Sequence, residues 1–306
     1  MNQPFSINNH LANTNSGIEI TRLCAVILIT FTHTTHSVES GLLFVILEQL
    51  PTFGTAILSV ISGYLYIVVS SKKPDLFQKK VKSLLVPYLI ANAVVLALVL
   101  IANYGFGHNM LNRLAFDENL ILDGLLALNR APINPPTYFI RDVFVIFAIL
   151  SLVFQREVKA LFVLVPVLAF GSLFLNPGIV FLFAAGCFYA QFGGRFEKQS
   201  VIILFFILSV ATAVFAIEYL KFPVAILLFI AIVDLKFPTY KTGRFSYLLH
   251  LYHSPVMIVA YAVSVRFVDD VLSLVLIQIL VAIVTAYVIF LASCVYKPLL
   301  ILSGGR

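Results

Sequence analysis

Long apolar blocks recur along this chain, and they constrain its fold more than any other feature. The blocks cover about residues 18–37, 42–70, 84–104, 138–154, 160–175, 178–192, 200–217, 222–235, 246–266 and 271–295. In lipid, backbone polar groups must pair within a helix or within a closed barrel, and barrel strands would alternate in polarity. The sequence therefore predicts an all-α polytopic transmembrane bundle of about ten helices.

The composition agrees with a membrane protein. Hydrophobic residues make up 61% of the chain and charged residues 11%, whereas a soluble domain carries about 25% charged residues. So few polar side chains do not cover a core of this size, which excludes a water-soluble enzyme. The same numbers exclude a disordered chain.

The basic residues lie mostly in short segments between the blocks, and they determine the predicted orientation. With a cytoplasmic N-terminus, 14 of the 20 Lys and Arg residues fall in cytoplasmic segments and four in outer segments, as the positive-inside rule requires. An odd number of spans would mix the two groups, so both termini are predicted to be cytoplasmic. Topology thus explains the net charge of +6 without a nucleic-acid partner. The predicted parts are a polar tail at 1–17, one transmembrane domain at 18–295 with an outer amphipathic loop at 105–137, and a cytoplasmic tail at 296–306.

Two ionisable residues lie inside the first predicted helix, where a charge is costly. Arg22 and His33 are eleven positions apart, and eleven steps of ~100° return them to one face, roughly 16 Å apart along the axis. His36 follows on nearly the same face. Arg presents a charged fork suited to phosphate, and His titrates near neutrality. Spacing alone leaves two interpretations open: a phosphate clamp with a base, or a topology anchor with a packed core histidine.

The second predicted helix carries small residues and one acid. Ser62 and Gly63 suit a close approach between helices, and simple packing is one interpretation of them. Glu48 lies in the same block and either pairs with a histidine of the first helix or faces the outer mouth.

Five lysines follow this helix at 72–82 on the predicted cytoplasmic side: Lys72, Lys73, Lys79, Lys80 and Lys82. A stop-transfer cluster explains them. The functional alternative is a cluster that attracts phosphate beside Arg22.

Two later helices carry adjacent charges and spaced histidines. Arg141 and Asp142 point about 100° apart, so each is predicted to pair with another helix or with a polar substrate. His250 and His253 share a face, but two imidazoles alone do not make a metal site. The sequence has no HExxH motif, no Gly-rich phosphate loop and no paired cysteines, so no metal is predicted.

Five short segments occur in a fixed order over residues 18–256. They are Arg22 with His33 after ten residues, 59–65 (SVISGYL), 79–88 (KKVKSLLVPY), 138–142 (YFIRD), and 247–253 (YLLHLYH) with Pro255; a weaker sixth is 181–186 (FLFAAG). As an ordered set they resemble the acyltransferase 3 family of multi-pass membrane acyltransferases. Two departures are Leu58 and Ser59, where the family often has two Phe residues, and Tyr138, where it often has Trp.

The resemblance implies transfer of an acyl group, usually acetyl from acetyl-CoA, to a hydroxyl of a carbohydrate such as a lipid-linked or surface polysaccharide. The expected location is the inner cell membrane. Arg22 and His33 match the Arg/His pair that the family uses for activity. Ser62 and Gly63 match its Ser-Gly motif.

From this resemblance we expect acetyl-CoA at the cytoplasmic mouth, with its phosphates held by Arg22, Lys79, Lys80 and Lys82. Its thioester would reach His33 along a shared tunnel, and His33 would act as general base or carry the acyl group itself. Residues expected to orient His33 or to bind the acceptor are Ser62, Gly63, Glu48, His36, Arg141, Asp142 and His253.

Two other functions fit a polar central helix. One is a proton-coupled transporter or translocator of a glycan or lipid precursor. The other is a non-catalytic membrane partner in which the Arg/His pair only packs.

Overall fold

The computed structural model describes residues 7–107, 111, 114–153, 171–236 and 242–305, and the regular structure in these ranges is helical without strands. The α-helices are α1 (Ile7–Phe31), α2 (Gly41–Phe44), α3 (Thr52–Leu65), α4 (Leu76–Lys80), α5 (Val86–Phe106), α6 (Leu120–Leu126), α7 (Tyr138–Leu152), α8 (Pro177–Phe192), α9 (Lys198–Phe215), α10 (Lys221–Ile232), α11 (Gly243–Ser264) and α12 (Val271–Val295). π-helical turns span Val45–Gln49, Tyr66–Ser70 and Val81–Leu85, and 3₁₀ turns span Pro135–Thr137, Gly193–Arg195, Ile217–Tyr219 and Lys297–Ser303.

Several of these helices are long and apolar enough to cross a membrane. Within the described ranges there are six: Gly41–Ser70, Leu76–Phe106, Pro135–Leu152, Pro177–Arg195, Lys198–Phe215 and Val271–Val295. The predicted all-α membrane bundle is therefore confirmed. The count of about ten spans and the cytoplasmic placement of both termini stay predictions, and most of the predicted block at 160–175 lies outside the described residues.

Helices α1 and α11 are also long, with 25 and 22 residues, but they are more polar than the six spans. They pack against each other, and α1 also packs against α3. Polar side chains are tolerated at membrane depth when they face a bundle interior. The two polar helices thus bring the candidate site residues together inside the protein.

The first helix begins and ends earlier than predicted. It runs from Ile7 to Phe31, not over 18–37, so His33 and His36 lie beyond its end. The hydroxyls of Thr32 and Thr34 donate to backbone carbonyls three residues back, at 2.8 Å each. Such side-chain bonds compete with helical hydrogen bonds, and they tighten the chain into a turn at this point. The expectation that His36 lies one helical turn beyond His33 was wrong.

Helices α3 and α8 meet through glycines. A Cβ on Gly63 would collide with the backbone carbonyl of Phe183, and a Cβ on Gly186 would collide with that of Val60. Small residues let helix backbones approach closely. The contact explains why the SVISGYL and FLFAAG segments occur together in one sequence, because each supplies the glycine that the other helix requires.

The segment around α6 is folded differently from a simple amphipathic stretch. Asp123 of α6 is 2% exposed, and its carboxylate accepts a hydrogen bond from the backbone of Asn129 at 3.0 Å. Ile121 and Leu122 are exposed instead. The apolar side of α6 is therefore the side that is available to lipid.

Candidate active site

A cavity of about 600 Å³ opens beside α1 and is lined by all four residues that were predicted to hold the phosphates. We name it the basic cavity, because its lining includes the cations Arg22, Lys73, Lys79, Lys80 and Lys82. The residues described as lining it include no acid. Two of the π-helical turns, Tyr66–Ser70 and Val81–Leu85, contribute to its wall, and such turns are frequent at functional sites.

Arg22 is held at this cavity by its own helix. Its guanidinium lies 3.1 Å from the carboxylate of Glu19. Glu19 also accepts a hydrogen bond from the Thr242 hydroxyl at 3.2 Å. Gly243 follows, and a Cβ there would stand 3.1 Å from the guanidinium. The start of α11 thus leaves room for Arg22 while the acid fixes its direction.

The Ser-Gly motif is divided between two surroundings. Ser62 lines the basic cavity, whereas Gly63 faces the backbone of α8. Lys80 lies over the ring of Phe147, 3.7 Å from its centroid. A cation on an aromatic face is partly shielded from water, so the ammonium group of Lys80 forms part of the cavity wall.

A second cavity of about 260 Å³ contains His33. We name it the hydroxyl cavity after the hydroxyl-bearing residues of its lining, which are Thr32, Thr52, Thr55, Ser59 and Tyr138. Asn176 and Lys221 add an amide and one cation. Many weak hydrogen-bonding groups around a small volume suit a polyhydroxyl ligand.

Arg22 and His33 do not line a shared tunnel in this structure. The two cavities lie back to back, and neighbouring residues line opposite sides: Leu58 the basic cavity and Ser59 the hydroxyl cavity. Likewise Phe139 lines the first and Tyr138 the second. Helices α3 and α7, which carry these neighbouring residues, therefore form the partition between the two cavities. It arises because the chain turns after Phe31 and carries His33 away from the face of Arg22.

The imidazole ring of His33, in the hydroxyl cavity, contacts the ring of His253, with ring centroids 5.2 Å apart. The Nδ1 atom of His253 lies 2.8 Å from the carbonyl oxygen of Leu249. A carbonyl only accepts, so Nδ1 carries the proton and Nε2 is the bare nitrogen of the neutral ring. This Nε2 is buried and has no hydrogen-bond partner among the described residues.

Pro255 supports the position of the histidines in α11. Proline has no N–H, so the carbonyl of Leu251, four residues earlier, lacks its helical partner. The side chain of Asn134 donates to that carbonyl at 2.8 Å, and the backbone of Asn134 donates to Asn92 at 3.1 Å. The Pro-rich segment before α7 is thereby fixed against α11, next to the hydroxyl cavity.

The segment that carries His33 is held by a side chain of α12. Gln278 is 0% exposed. It accepts a hydrogen bond from the backbone N–H of Thr35 at 2.8 Å and donates one to the carbonyl of the same residue at 3.0 Å. Two bonds to one residue fix the backbone just after the helix has ended.

Replacing Gln278 with leucine is expected to lower the rate of the reaction that His33 performs while leaving ligand binding in the basic cavity unchanged. The substitution removes both bonds to Thr35, and a hydrogen bond of this kind contributes about 0.5–1.5 kcal/mol. Activity and binding are measured on the purified protein. Ser293→Ala, a buried change within the same helix, is the control. Equal losses in both assays would contradict the positioning role.

The remaining predicted residues lie outside the two cavities. His36 Nε2 is 3.3 Å from the carboxylate of Glu48, so this acid pairs with a histidine of the segment after α1. Arg141 and Asp142 were predicted to point apart, but they bind each other at 2.9 Å. They meet because Arg141 also donates to the carbonyl of Leu173 and Asp142 accepts from the Asn176 backbone at 2.9 Å. The pair thus holds the segment that leads into α8.

Sequence reasoning missed Asn134, Gln278 and Lys221. Asn134 could have been found as an asparagine between prolines before a helix, and Gln278 as an amide inside an apolar block. Among the described residues, no group of three His, Cys, Asp or Glu side chains is arranged to hold a metal ion.

Comparison with known proteins gives one match. The family model described as an acyltransferase domain, Acyl_transf_3, matches residues 15–294, nearly the whole chain. No curated protein and no solved structure matches the chain.

Proposed function

Because the chain belongs to the acyltransferase 3 family, we propose that it is a membrane O-acyltransferase that moves an acetyl group from acetyl-CoA to a hydroxyl of a carbohydrate. The observation that carries this proposal is the pair of back-to-back cavities, one lined by five cations and the other containing His33 among hydroxyl groups. We place the protein in the inner cell membrane, with a surface or lipid-linked glycan as acceptor.

The donor binds in the basic cavity. Arg22 and the lysines at 79, 80 and 82 neutralise the phosphates of acetyl-CoA, and Arg supplies a bidentate fork. Ser62 is part of the same lining. The apolar residues Val26, Leu58 and Phe139 line the cavity as well, and they suit the pantetheine arm and the acetyl group.

The acceptor binds in the hydroxyl cavity. His33 removes the proton from the acceptor hydroxyl, whose oxygen attacks the thioester carbonyl. The new C–O bond forms, the C–S bond breaks, and its electron pair leaves with the sulfur of CoA. During the reaction His33 turns to donate an N–H to the bare Nε2 of His253, and its other nitrogen is thereby directed toward the acceptor. His253 is a positioning residue in this scheme.

The partition must open for the thioester to reach the acceptor. Leu58 of α3 and Phe139 of α7 line its donor side, and the scheme requires rotation of these side chains together with a shift of α3 or α7. Donor binding supplies the free energy for that rotation, since a ligand shifts a population by its differential affinity for the two states.

The proposal is tested with the purified chain in lipid nanodiscs, with labelled acetyl-CoA and a glycan fraction extracted from host membranes. Base-labile labelled acetyl on the glycans, released together with free CoA, is the expected result. Transport of glycan without release of CoA would overturn the proposal and favour a translocator. Mass analysis of surface glycans from cells with and without the gene should differ by acetyl units.

Arg22→Gln is expected to raise the apparent KM for acetyl-CoA about 10- to 100-fold, because hydrogen bonds to charged groups contribute roughly 1.5–3 kcal/mol. S-acetylpantetheine, which lacks the nucleotide phosphates, should show no such change. Lys198→Gln, which alters a cation paired with Asp234 and absent from both cavity linings, is the control. A similar loss with both donors would assign Arg22 to a structural role.

A further inference from the structure

Two histidines of α11 occupy the space between the cavities, and one of them has no part in the scheme above. His250 lines the basic cavity and is 2% exposed. His253 is 1% exposed and contacts His33, which lines the hydroxyl cavity. The three imidazoles therefore form a row from one cavity to the other.

The spacing within the row is short at each step. The ring centroids are 5.2 Å apart for His33 and His253 and 6.2 Å apart for His253 and His250. The last two residues are three positions apart in one helix, so the backbone of α11 fixes their separation. Ring rotation can bring nitrogens of His33 and His253 within reach of each other. The step from His253 to His250 also needs a shift of one side chain, because nitrogens of rings 6.2 Å apart stay about 4 Å apart at best.

Several ring nitrogens of His250 and His253 make no hydrogen bond to a described residue, which is unusual for buried polar groups. Both ring nitrogens of His250 and the Nε2 of His253 lack a hydrogen-bond partner in the part of the chain that the structure describes. The backbone of Pro136 lies beside His250 without a bond of standard geometry, and the ring of Phe139 contacts it edge to face. Buried polar groups are normally paired, and an exception calls for an explanation.

We propose that His250 delivers a proton to the sulfur of the departing CoA, and that His253 supplies that proton from His33. This inference rests on the proposed acyltransferase function and names a second catalytic residue for it, on the donor side of the partition. A neutral imidazole gives a proton from one nitrogen as it takes one at the other, which suits a buried row without other charges.

The proton count closes over one reaction. The acceptor hydroxyl gives its proton to His33, which passes one to the bare Nε2 of His253. His253 releases its Nδ1 proton from the Leu249 carbonyl and passes it to His250. His250 gives one to the thiolate that forms as the C–S bond breaks. The products are the acetyl ester and the CoA thiol. Each histidine ends with as many protons as it had at the start.

The experiment compares His250→Gln with the unaltered protein using two donors, acetyl-CoA and its oxygen-ester analogue, whose leaving alkoxide needs a proton far more than a thiolate does. With acetyl-CoA, we expect kcat to fall about 10²-fold, the lower end of the range for general acid catalysis. With the oxygen ester, the loss should be at least tenfold greater. Ser264→Ala, a buried change later in the same helix, should leave both rates unchanged.

The outcomes separate the two proposals. Equal losses with both donors, or no loss, would overturn the role of His250 while the acyltransferase function stands. If the unaltered protein transfers no acetyl group from either donor, the proposed function itself fails. Acetyl-CoA binding reports whether the variant is folded. His253→Gln serves as a second test, and it is expected to show the same excess loss with the oxygen ester.

Discussion

Purified His33→Ala protein is expected to lose acetyl transfer by about 10²–10⁴-fold, the range that a positioned general base contributes. The affinity for acetyl-CoA should stay within about twofold, because His33 lines the hydroxyl cavity and Arg22 lines the basic cavity. Transfer is measured as labelled acetyl on the glycan fraction, and donor affinity by titration calorimetry with acetyl-CoA.

Two comparisons make this result specific. His33→Gln keeps most of the side-chain volume but supplies no base, so it should lose nearly as much activity as the alanine variant. Ser209→Ala removes a buried hydroxyl that bonds only within α9 and should retain full activity. Normal transfer by a folded His33→Ala protein would remove the base from the mechanism. A loss of donor affinity equal to the loss of rate would instead assign His33 to donor binding.

Part of this arrangement could be predicted from the sequence, because it depends on local patterns. Apolar blocks of span length predict membrane helices, and five lysines at 72–82 together with Arg22 predict a basic region. The structure brings Arg22, Lys79, Lys80 and Lys82 to one cavity. Their role in holding the donor stays a proposal.

The division into two cavities could not be predicted, because it depends on where one helix ends. A continuous helix would have kept Arg22 and His33 on one face. The threonines around Phe31 form side-chain bonds to the backbone instead, and Gln278 from a distant part of the sequence holds the segment that follows. The contact of His33 with His253 likewise depends on how α1 packs against α11. Pairwise spacing within one helix contains no information about such contacts.

The contact between α3 and α8 leads us to expect a large effect of substitution on folding. Gly63→Ala is expected to lower the free energy of unfolding by about 3 kcal/mol or more, the upper end of the range for an overpacked core. The new Cβ would meet the backbone carbonyl of Phe183, and a backbone atom does not rotate aside as a side chain does. Relief requires α3 and α8 to separate. That movement would also shift Ser62 and widen the basic cavity.

The matched control is Gly194→Ala, because a Cβ on Gly194 meets no heavy atom within 4 Å. In detergent, Gly63→Ala should show a lower unfolding temperature and loss of the monodisperse elution peak, whereas Gly194→Ala should behave as the unaltered protein does. Gly186→Ala should resemble Gly63→Ala, since its Cβ would meet the carbonyl of Val60 on the other side of the same contact. A stable Gly63→Ala protein that has lost only acetyl transfer would contradict the packing role. Gly63 would then be assigned to substrate binding, which is the other role expected for the Ser-Gly motif.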